Sequence, residues 1–270
     1  MLDVGLLVQD TFSCVGIRVD AEGLDVDDGR IRAPDARLAM VSPSHQYPLG
    51  VTMSLARRLA LLQWANDANA FILEDDYDSE FRYECAPTTA LKALDGDNGR
   101  VIYIGTLSKL LAPGLRLGFL VAPDDLIDAL CAVRNGTDHR VPMPLQATAA
   151  DFIGNGHLGA HIRRSKVLYA ERRAALLSAI NSEGSDWLTM PTASTGLHMV
   201  TELPDCCSDQ ALAAAARMRQ IGVTPLSGYF VDVSRTQRQG LLMGFGNTRA
   251  ESMKGAIRTL CGLIEAGSEC

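Results

Sequence analysis

The sequence predicts an α/β fold in which a mostly parallel sheet carries helices on both faces, followed by a smaller α+β domain towards the C-terminus. Three short apolar runs predict strands of that sheet, and helical patterns lie between or beside them. Strands that are apolar along their whole length are typical of parallel sheets buried between two layers of helices. After residue 181 the pattern changes to short strands around helices. We therefore expect a large domain over residues 1–165 and a small domain over residues 166–270.

The first fifty residues contain the least regular part of the pattern. Apolar stretches predict short strands at residues 5–8, 15–19 and 36–41. Residues 20–35 hold five aspartates with little periodicity, which predicts a loop. Residues 42–50 contain two prolines and a glycine, and these exclude regular structure.

Helix and strand patterns alternate from residue 52 onward. Residues 52–68 predict a helix, and a solvated position is expected for its arginine pair, Arg57 and Arg58. Its predicted apolar face consists of Leu55, Leu59, Leu62 and Ala65. Strands are predicted at residues 70–73, 101–104 and 115–121, and helices at residues 125–134, from 145 onward and at 157–180. The last helix is expected to bury Met253, Ile257, Leu260 and Ile264.

The composition excludes several classes of function. The chain has 270 residues, with 25 basic and 32 acidic side chains and a net charge of −7. Because a duplex-binding surface needs a basic face, we expect no DNA binding by this chain alone. No apolar run approaches the roughly 18 residues of a membrane span. Seven scattered cysteines, no Cys-x-x-Cys pair and no secretory signal predict a cytoplasmic protein.

Lys109 is the residue that points most directly to chemistry. It follows a small polar run at the end of a predicted buried strand, where desolvation would lower the pKa of the amine and make it nucleophilic. Arg116, together with the hydroxyls of Thr106 and Ser108, suits a phosphate ester. A lysine that forms a Schiff base beside a phosphate site is what pyridoxal phosphate requires. A surface lysine in a hairpin, with Arg116 in a salt bridge, remains an equal alternative.

The acidic residues after the second predicted strand favour the first interpretation. A carboxylate at the end of a buried strand can pair with the pyridine nitrogen of that cofactor and keep it protonated. Asp75 is the best placed, and Tyr77 could donate to the phenolic oxygen of the ring. Clustered aspartates could also hold Mg²⁺ or form a solvated loop.

Other motifs give little support to competing functions. The phosphate-loop pattern Gly-x-x-x-x-Gly-Lys-Ser/Thr is absent from the sequence. His157 and His161 are four residues apart but lack the glutamate of the zinc protease motif, and we predict no metal site. His198, on an alternating strand, is interpreted as structural.

Three stretches, in this order, resemble a known family. They are residues 42–50 (SPSHQYPLG), 74–83 (EDDYDSEFRY) and 101–118 (VIYIGTLSKLLAPGLRLG). They resemble the aminotransferase-like domain of MocR/GabR-type regulators, which belong to the GntR superfamily of bacterial transcription factors. Proteins of this type join an N-terminal winged helix-turn-helix to a fold type I domain that binds pyridoxal phosphate. The resemblance extends to residues 195–198 and 240–245.

The resemblance implies a role for each matching residue. Lys109 is similar to the lysine that forms the Schiff base, Asp75 to the partner of the pyridine nitrogen and Tyr77 to the tyrosine beside the ring oxygen. The residues that match the phosphate side are Ser108, Arg116 and, less closely, Thr106.

Two further residues match the family's pattern less well. Tyr47 stands in the turn where related aminotransferases have Asn-Pro-Thr-Gly, and is assigned to the cofactor site with an open role. Arg238 lies near the strand that carries the arginine for the substrate carboxylate.

The family's winged helix and the start of its cofactor domain have no match in this sequence. The resemblance therefore implies an N-terminally truncated member, and it also implies a homodimer. One expected function is a pyridoxal-phosphate-binding aminotransferase-like domain that forms a Schiff base through Lys109 and exchanges it with an amine or amino acid. The alternative is the effector-sensing domain of a MocR-type regulator, without turnover. A third possibility is a remnant that folds without the cofactor.

Overall fold

The computed structural model describes residues 13–84, 88–137, 142–190, 195–231 and 238–267. The strand predicted at residues 5–8 lies outside these ranges. Within them, the chain begins with a hairpin of Val19–Asp20 (β1) and Gly23–Leu24 (β2), followed by the helix Val26–Arg32 (α1).

The prediction of a loop over residues 20–35 is wrong, because this stretch contains α1. Asp25 caps the helix, its carboxylate accepting a hydrogen bond from the backbone N–H of Asp28. Two aspartates in the first turn and two arginines in the last turn complement the helix dipole. Three of the five aspartates that gave the stretch the composition of a loop are therefore capping or first-turn residues.

A four-stranded sheet forms the centre of the N-terminal part. Its strands are Leu38–Val41 (β3), Phe71–Asp76 (β4), Val101–Thr106 (β5) and Gly118–Val121 (β6), in the order β3-β4-β5-β6. The first three are parallel and β6 is antiparallel to β5. The prediction of an α/β fold with a mostly parallel sheet is confirmed. The helices of this part are Leu55–Asp67 (α2), Leu91–Asp95 (α3), Asp124–Thr137 (α4) and Met143–Gly154 (α5).

The helix α2 forms where it was predicted, but it buries a different face. Leu55 is 60% exposed and Leu59 51% exposed, whereas Arg58 is only 2% exposed. Leu62 and Ala65 are buried as expected, and Leu61 and Trp64 pack with them. The expectation that Arg58 is solvated is therefore wrong, since its guanidinium has acceptors inside the protein.

Arg58 connects α2 to the segments that precede and follow it. Its guanidinium donates to the carbonyl oxygens of Met53 at 2.9 Å, Pro43 at 2.7 Å and Thr89 at 2.8 Å. The bond to Pro43 holds the polar segment of residues 42–50 against α2, and the bond to Thr89 does the same for the segment before α3. A side chain without donors at this position would leave the carbonyl groups buried and unpaired.

We expect the substitution Arg58→Met to lower the free energy of unfolding by about 3 kcal/mol or more, because several buried acceptors lose their donor at once. Urea denaturation checks this value. Arg58→Lys retains the charge but loses the planar fork of donors. It should therefore be less stable than the wild type and more stable than Arg58→Met. Arg164→Met, at an exposed position, is the control. Equal stability of Arg58→Met and the wild type would contradict this account.

The strand β6 is exposed along its length, although a buried strand was predicted. Phe119, Leu120 and Val121 are each about half exposed. The ring of Phe119 covers Gly105 in β5, where an added Cβ would lie 2.2 Å from Phe119 Cζ. In the described part of the chain, β6 is the edge of the sheet.

The C-terminal part has its own antiparallel sheet and core. Its strands are His198–Glu202 (β7), Thr224–Pro225 (β8) and Gly240–Gly244 (β9), in the order β7-β9-β8. Its helices are His157–Ala179 (α6), Asp209–Met218 (α7) and Ala250–Gly267 (α8). The inward residues predicted for the last helix are confirmed as buried: Met253, Ile257, Leu260 and Ile264. The helix α6 runs unbroken through residue 165, so the predicted boundary falls inside it.

No helix in the described ranges combines the length and the apolar character that crossing a membrane would need.

Candidate functional site

The carboxyl ends of β3, β4 and β5 meet at one edge of the central sheet. The register pairs Val41 with Glu74 and Asp75 with Ile104, so the segments after the three strands begin side by side. In open α/β sheets, ligands bind beyond this edge. The polar segments at residues 42–50, 74–83 and 105–109 therefore form the candidate site.

Glu74 is used to stabilise the fold. It is fully buried, and its carboxylate accepts hydrogen bonds from the backbone N–H groups of Leu91 at 2.9 Å and Lys92 at 2.8 Å. These groups lie at the start of α3, whose donors have no partners within the helix. Burial raises the pKa of Glu74 despite these bonds.

Asp75 is the next residue along β4, so its side chain points to the opposite face of the sheet. It is partly buried, and its carboxylate makes no hydrogen bond within the described ranges. Burial raises the pKa of Asp75, and the nearby carboxylates of Asp76 and Asp78 raise it further. A cationic partner would relieve this unfavourable environment.

His45, Tyr77 and Asp78 form a hydrogen-bonded cluster next to Asp75. His45 Nδ1 lies 3.0 Å from Asp78 Oδ2 and 3.1 Å from the Tyr77 hydroxyl. In the neutral imidazole, a proton on Nδ1 that is donated to Asp78 leaves Nε2 as an acceptor. His45 Nε2 is buried and has no partner among the described residues.

Tyr77 is held in this cluster through its contacts with His45. Its hydroxyl donates to the carbonyl oxygen of His45 at 2.9 Å. The phenol has one proton, so donation to a ring oxygen of a ligand requires that this bond be exchanged. Burial raises the pKa of Tyr77 far above its ordinary value, and the carboxylate of Asp78 adds to the effect. Tyr77 therefore acts as a neutral phenol.

The C-terminal part supplies the other wall of the cluster. The N–H of Leu197 donates to Asp78 Oδ2 at 3.2 Å, and Tyr83 donates from its hydroxyl to the carbonyl oxygen of Gly196 at 2.9 Å. The ring of His198 lies 4.6 Å from that of His45, between centroids. His198 Nε2 donates to the carbonyl oxygen of Pro48 at 3.0 Å.

The end of β5 carries the predicted lysine and the predicted phosphate-side residues. Thr106 Oγ1 accepts a hydrogen bond from the backbone N–H of Ser108 at 3.1 Å. Lys109 is exposed among the described residues, whereas a desolvated position was expected. Its charge is close enough to contribute to the lowered pKa of His198. Arg116 is also exposed and has a left-handed backbone, with φ of 52°.

Tyr47 and Arg238 take different positions relative to this cluster. The Tyr47 ring contacts those of Tyr77 and His198 edge-on, which places it at the site. Arg238 is about half exposed and forms an ion pair with Glu202. The described structure thus groups Tyr47 with the site and pairs Arg238 with a carboxylate of β7.

Four residues of this site were not singled out by the sequence. They are His45, Asp78, Gly196 and Tyr229, whose hydroxyl lies 2.7 Å from that of Tyr47. His45 and Asp78 lie inside the motifs, but only the fold shows that they form a pair. Gly196 and Tyr229 come from the C-terminal part. Of these two, only Gly196 had a signal in the sequence, because it lies in residues 195–198, a stretch that resembles the family.

The cluster also has the composition of a metal site. One donor atom each from His45, Asp78 and His198 lies within 4.8 Å of the others. In this structure His45 and Asp78 bind each other, and His198 binds the carbonyl of Pro48. The hydrogen bonds alone account for the arrangement.

The titration of His198 leads to a prediction about acid stability. Burial lowers the pKa of His198 to about 4, and the nearby His45 lowers it as well. The unfolded chain therefore takes up this proton first as the pH falls, near 6.5, which is the ordinary value for histidine. The stability that the neutral ring contributes is complete above pH 6.5 and is lost between pH 6.5 and about 4.

We expect this loss to be on the order of 2–3 kcal/mol, measured as the difference in urea stability between pH 7 and pH 4. The variant His198→Gln retains a donor for the Pro48 carbonyl but has no titrating ring. Its urea stability should therefore fall less than that of the wild type between pH 7 and pH 4. The same pH dependence in both proteins would show that other groups cause it.

The mostly parallel sheet and the polar segments beyond its strand ends correspond to the fold type I class of pyridoxal-phosphate-dependent proteins. The chain belongs to the aminotransferase class I and II family, whose profile matches residues 13–238.

Relatives of two kinds support this assignment. The probable rhizopine catabolism regulatory protein MocR of Rhizobium meliloti is 37% identical over 246 residues, which are 91% of this chain and 49% of that protein. The kynurenine aminotransferase of Pyrococcus horikoshii matches with a TM-score of 0.85 and 27% identity, over 95% of this chain and 64% of that one. The multiple substrate aminotransferase of Thermococcus profundus matches with a TM-score of 0.83 and 31% identity, over 93% of this chain and 64% of that one.

The predicted resemblance to MocR-type regulators is confirmed. The chain spans about half the length of the curated relatives it matches.

The residues of the site fit pyridoxal phosphate, the cofactor that this family implies. The Asp75 carboxylate, the Ser108 hydroxyl, the Lys109 amine and the Arg116 guanidinium make no hydrogen bonds to the described residues. An acid, a hydroxyl, an amine and a guanidinium are the groups that a pyridine nitrogen, an aldehyde and a phosphate require.

Proposed function

We propose that this chain is a domain that holds pyridoxal phosphate covalently through Lys109 and exchanges it with a small amine or amino acid. The observation that carries the proposal is the set of polar side chains at the ends of β4 and β5 that have no partners within the described structure. These side chains are Asp75, Ser108, Lys109 and Arg116. Unpaired polar groups of complementary charge, gathered at a strand end, suit a ligand that carries the opposite charges.

Each residue has a distinct task. Bound pyridoxal phosphate supplies an aldehyde carbon that amines attack and a ring that withdraws electrons. Lys109 would hold the cofactor through Nζ, bonded to the aldehyde carbon with loss of water. Once an incoming amine has displaced it, the freed Nζ would take the proton from the carbon next to the nitrogen of that amine. Asp75 would pair with the protonated pyridine nitrogen, and that positive charge would keep the Asp75 carboxylate ionised. Arg116 holds the phosphate.

The remaining site residues orient the ligand. The hydroxyls of Ser108 and Thr106 assist Arg116 at the phosphate. Tyr77 and Tyr47 present neutral phenols to the ring, since burial raises the pKa of both. Arg238 is assigned to a substrate carboxylate, for which its ion pair with Glu202 must open.

A sensing function is the second candidate. It is favoured by the similarity to a relative named as a regulatory protein, of which this chain matches about half. In this case the same residues would bind an effector amine without turnover.

We further propose a cytoplasmic homodimer, with domains at residues 1–165 and 166–270. The net charge of −7 supports the absence of DNA binding by this chain alone.

Titration of the purified chain with pyridoxal phosphate tests the proposal. We expect visible absorption from a cofactor bound to lysine, and borohydride reduction followed by peptide mass mapping should place the label on Lys109 rather than on Lys92, Lys166 or Lys254. Absence of the band would overturn both candidates. If added amines shift the band, formation of a keto product indicates an enzyme, and its absence indicates a sensor.

A further inference from the structure

Tyr47 connects the candidate site to the C-terminal part of the chain. Its hydroxyl lies 2.7 Å from that of Tyr229, and the two rings meet edge-on with centroids 5.2 Å apart. On its other side, Tyr47 meets the ring of His198 at 5.3 Å and that of Tyr77 at 6.0 Å. Within the described ranges, Tyr229 is the one hydrogen-bond partner of the Tyr47 hydroxyl.

Tyr229 is itself held by a buried anchor. It ends a short 3₁₀ turn, Ser227–Tyr229. The buried carboxylate of Asp209 accepts hydrogen bonds from the Ser227 N–H at 2.7 Å and the Ser227 hydroxyl at 2.6 Å. Leu226 is fully buried, and its N–H donates to Gly240 in β9 at 2.9 Å. The backbone that carries Tyr229 is thus anchored to α7 through Asp209 and to β9 through Gly240.

We propose that Tyr229 is a positioning residue that fixes the orientation of the Tyr47 phenol, so that the C-terminal part controls how Tyr47 faces the site. The idea rests on the proposed function only where it places Tyr47 against the cofactor. The phenol pair involves only residues of this chain, so it can be tested without the cofactor. Either hydroxyl can donate in this pair, and in both cases the bond to Tyr229 restricts the direction in which the Tyr47 hydroxyl points. Without that oxygen, the Tyr47 hydroxyl loses its partner and the ring becomes free to reorient.

Fluorine NMR of the cofactor-free chain, labelled with 3-fluorotyrosine, tests the phenol pair. The six tyrosines give six signals, which Tyr→Phe variants assign. We expect the Tyr47 signal to shift and broaden in Tyr229→Phe and to stay unchanged in Tyr169→Phe, the matched control. An unaltered Tyr47 signal in Tyr229→Phe would overturn the proposal, because a fixed orientation could not then depend on Tyr229.

The cofactor-bound protein tests the consequence. We expect Tyr229→Phe to raise the Kd for pyridoxal phosphate about fivefold, the value of one ordinary hydrogen bond. The double variant Tyr47→Phe/Tyr229→Phe should match Tyr47→Phe alone, because Tyr229 acts through Tyr47. An additional loss in the double variant would show that Tyr229 acts on the ligand independently and would refute the positioning role. If the wild type binds no cofactor, the proposed function fails, and the fluorine signal still decides whether Tyr229 positions Tyr47.

Discussion

Replacement of Lys109 by alanine is expected to abolish the visible absorption of the protein with pyridoxal phosphate, because the substitution removes the amine that forms the covalent bond. Lys109 is exposed and unpaired within the described structure. Its loss should therefore leave the fold intact, with a change in the free energy of unfolding within about 0.5 kcal/mol. Spectrophotometric titration and urea denaturation of the same preparation measure both quantities.

Lys166→Ala is the matched control, since Lys166 is an exposed lysine on α6. It should retain the full absorption band. A band of wild-type strength in Lys109→Ala would assign the covalent bond to another residue. A large loss of stability in Lys109→Ala would instead mean that this lysine supports the fold.

The second large effect is expected from Gly196→Ala, which should destabilise the chain by about 4 kcal/mol or more. A Cβ at this position would lie 1.9 Å from His45 Cε1 and 2.7 Å from Asp78 Oδ2, and the backbone φ of +80° disfavours any side chain. The backbone cannot easily withdraw. The N–H of Gly196 donates to Phe81 at 2.8 Å, and its carbonyl accepts from Tyr83 at 2.9 Å.

Thermal or urea unfolding measures this effect, and Gly222→Ala provides the comparison. No atom lies within 4 Å of the position that a Cβ on Gly222 would take, so that variant should unfold like the wild type or be slightly more stable. Adding His45→Ala to Gly196→Ala should recover part of the loss, because the main clash is with the His45 ring. Simple additivity of the two substitutions would refute the proposed clash.

Several features of the fold could be predicted because their causes are local. Apolar strands and helical periodicity predicted the central sheet, and the polar segments that follow its strands predicted where a site would form. Lys109 and Asp75 were assigned to the site in this way, because each follows or ends a strand and parallel strands end at a common edge. Errors arose where local composition had two meanings. The aspartates of residues 20–35 suggested a loop, yet one of them caps α1.

The exposed position of β6 and the burial of Arg58 show a second kind of error. A short apolar run predicts a strand but does not say what covers it, and Phe119, Leu120 and Val121 remain half exposed. An arginine on a helix is normally solvated. Arg58 is buried because three carbonyl groups from separate segments converge on it.

The sequence by itself determined the fold class, the family, and the lysine, carboxylate and phosphate-side residues that we assign to the cofactor. Only the tertiary structure decided how the site is held together. His45 and Asp78 are 33 residues apart, Leu197 and Asp78 are 119 apart, and Tyr47 and Tyr229 are 182 apart. Hydrogen bonds and close approaches of this kind depend on where two distant segments come to rest. The periodicity and the motifs of one segment do not specify where the other segment packs against it.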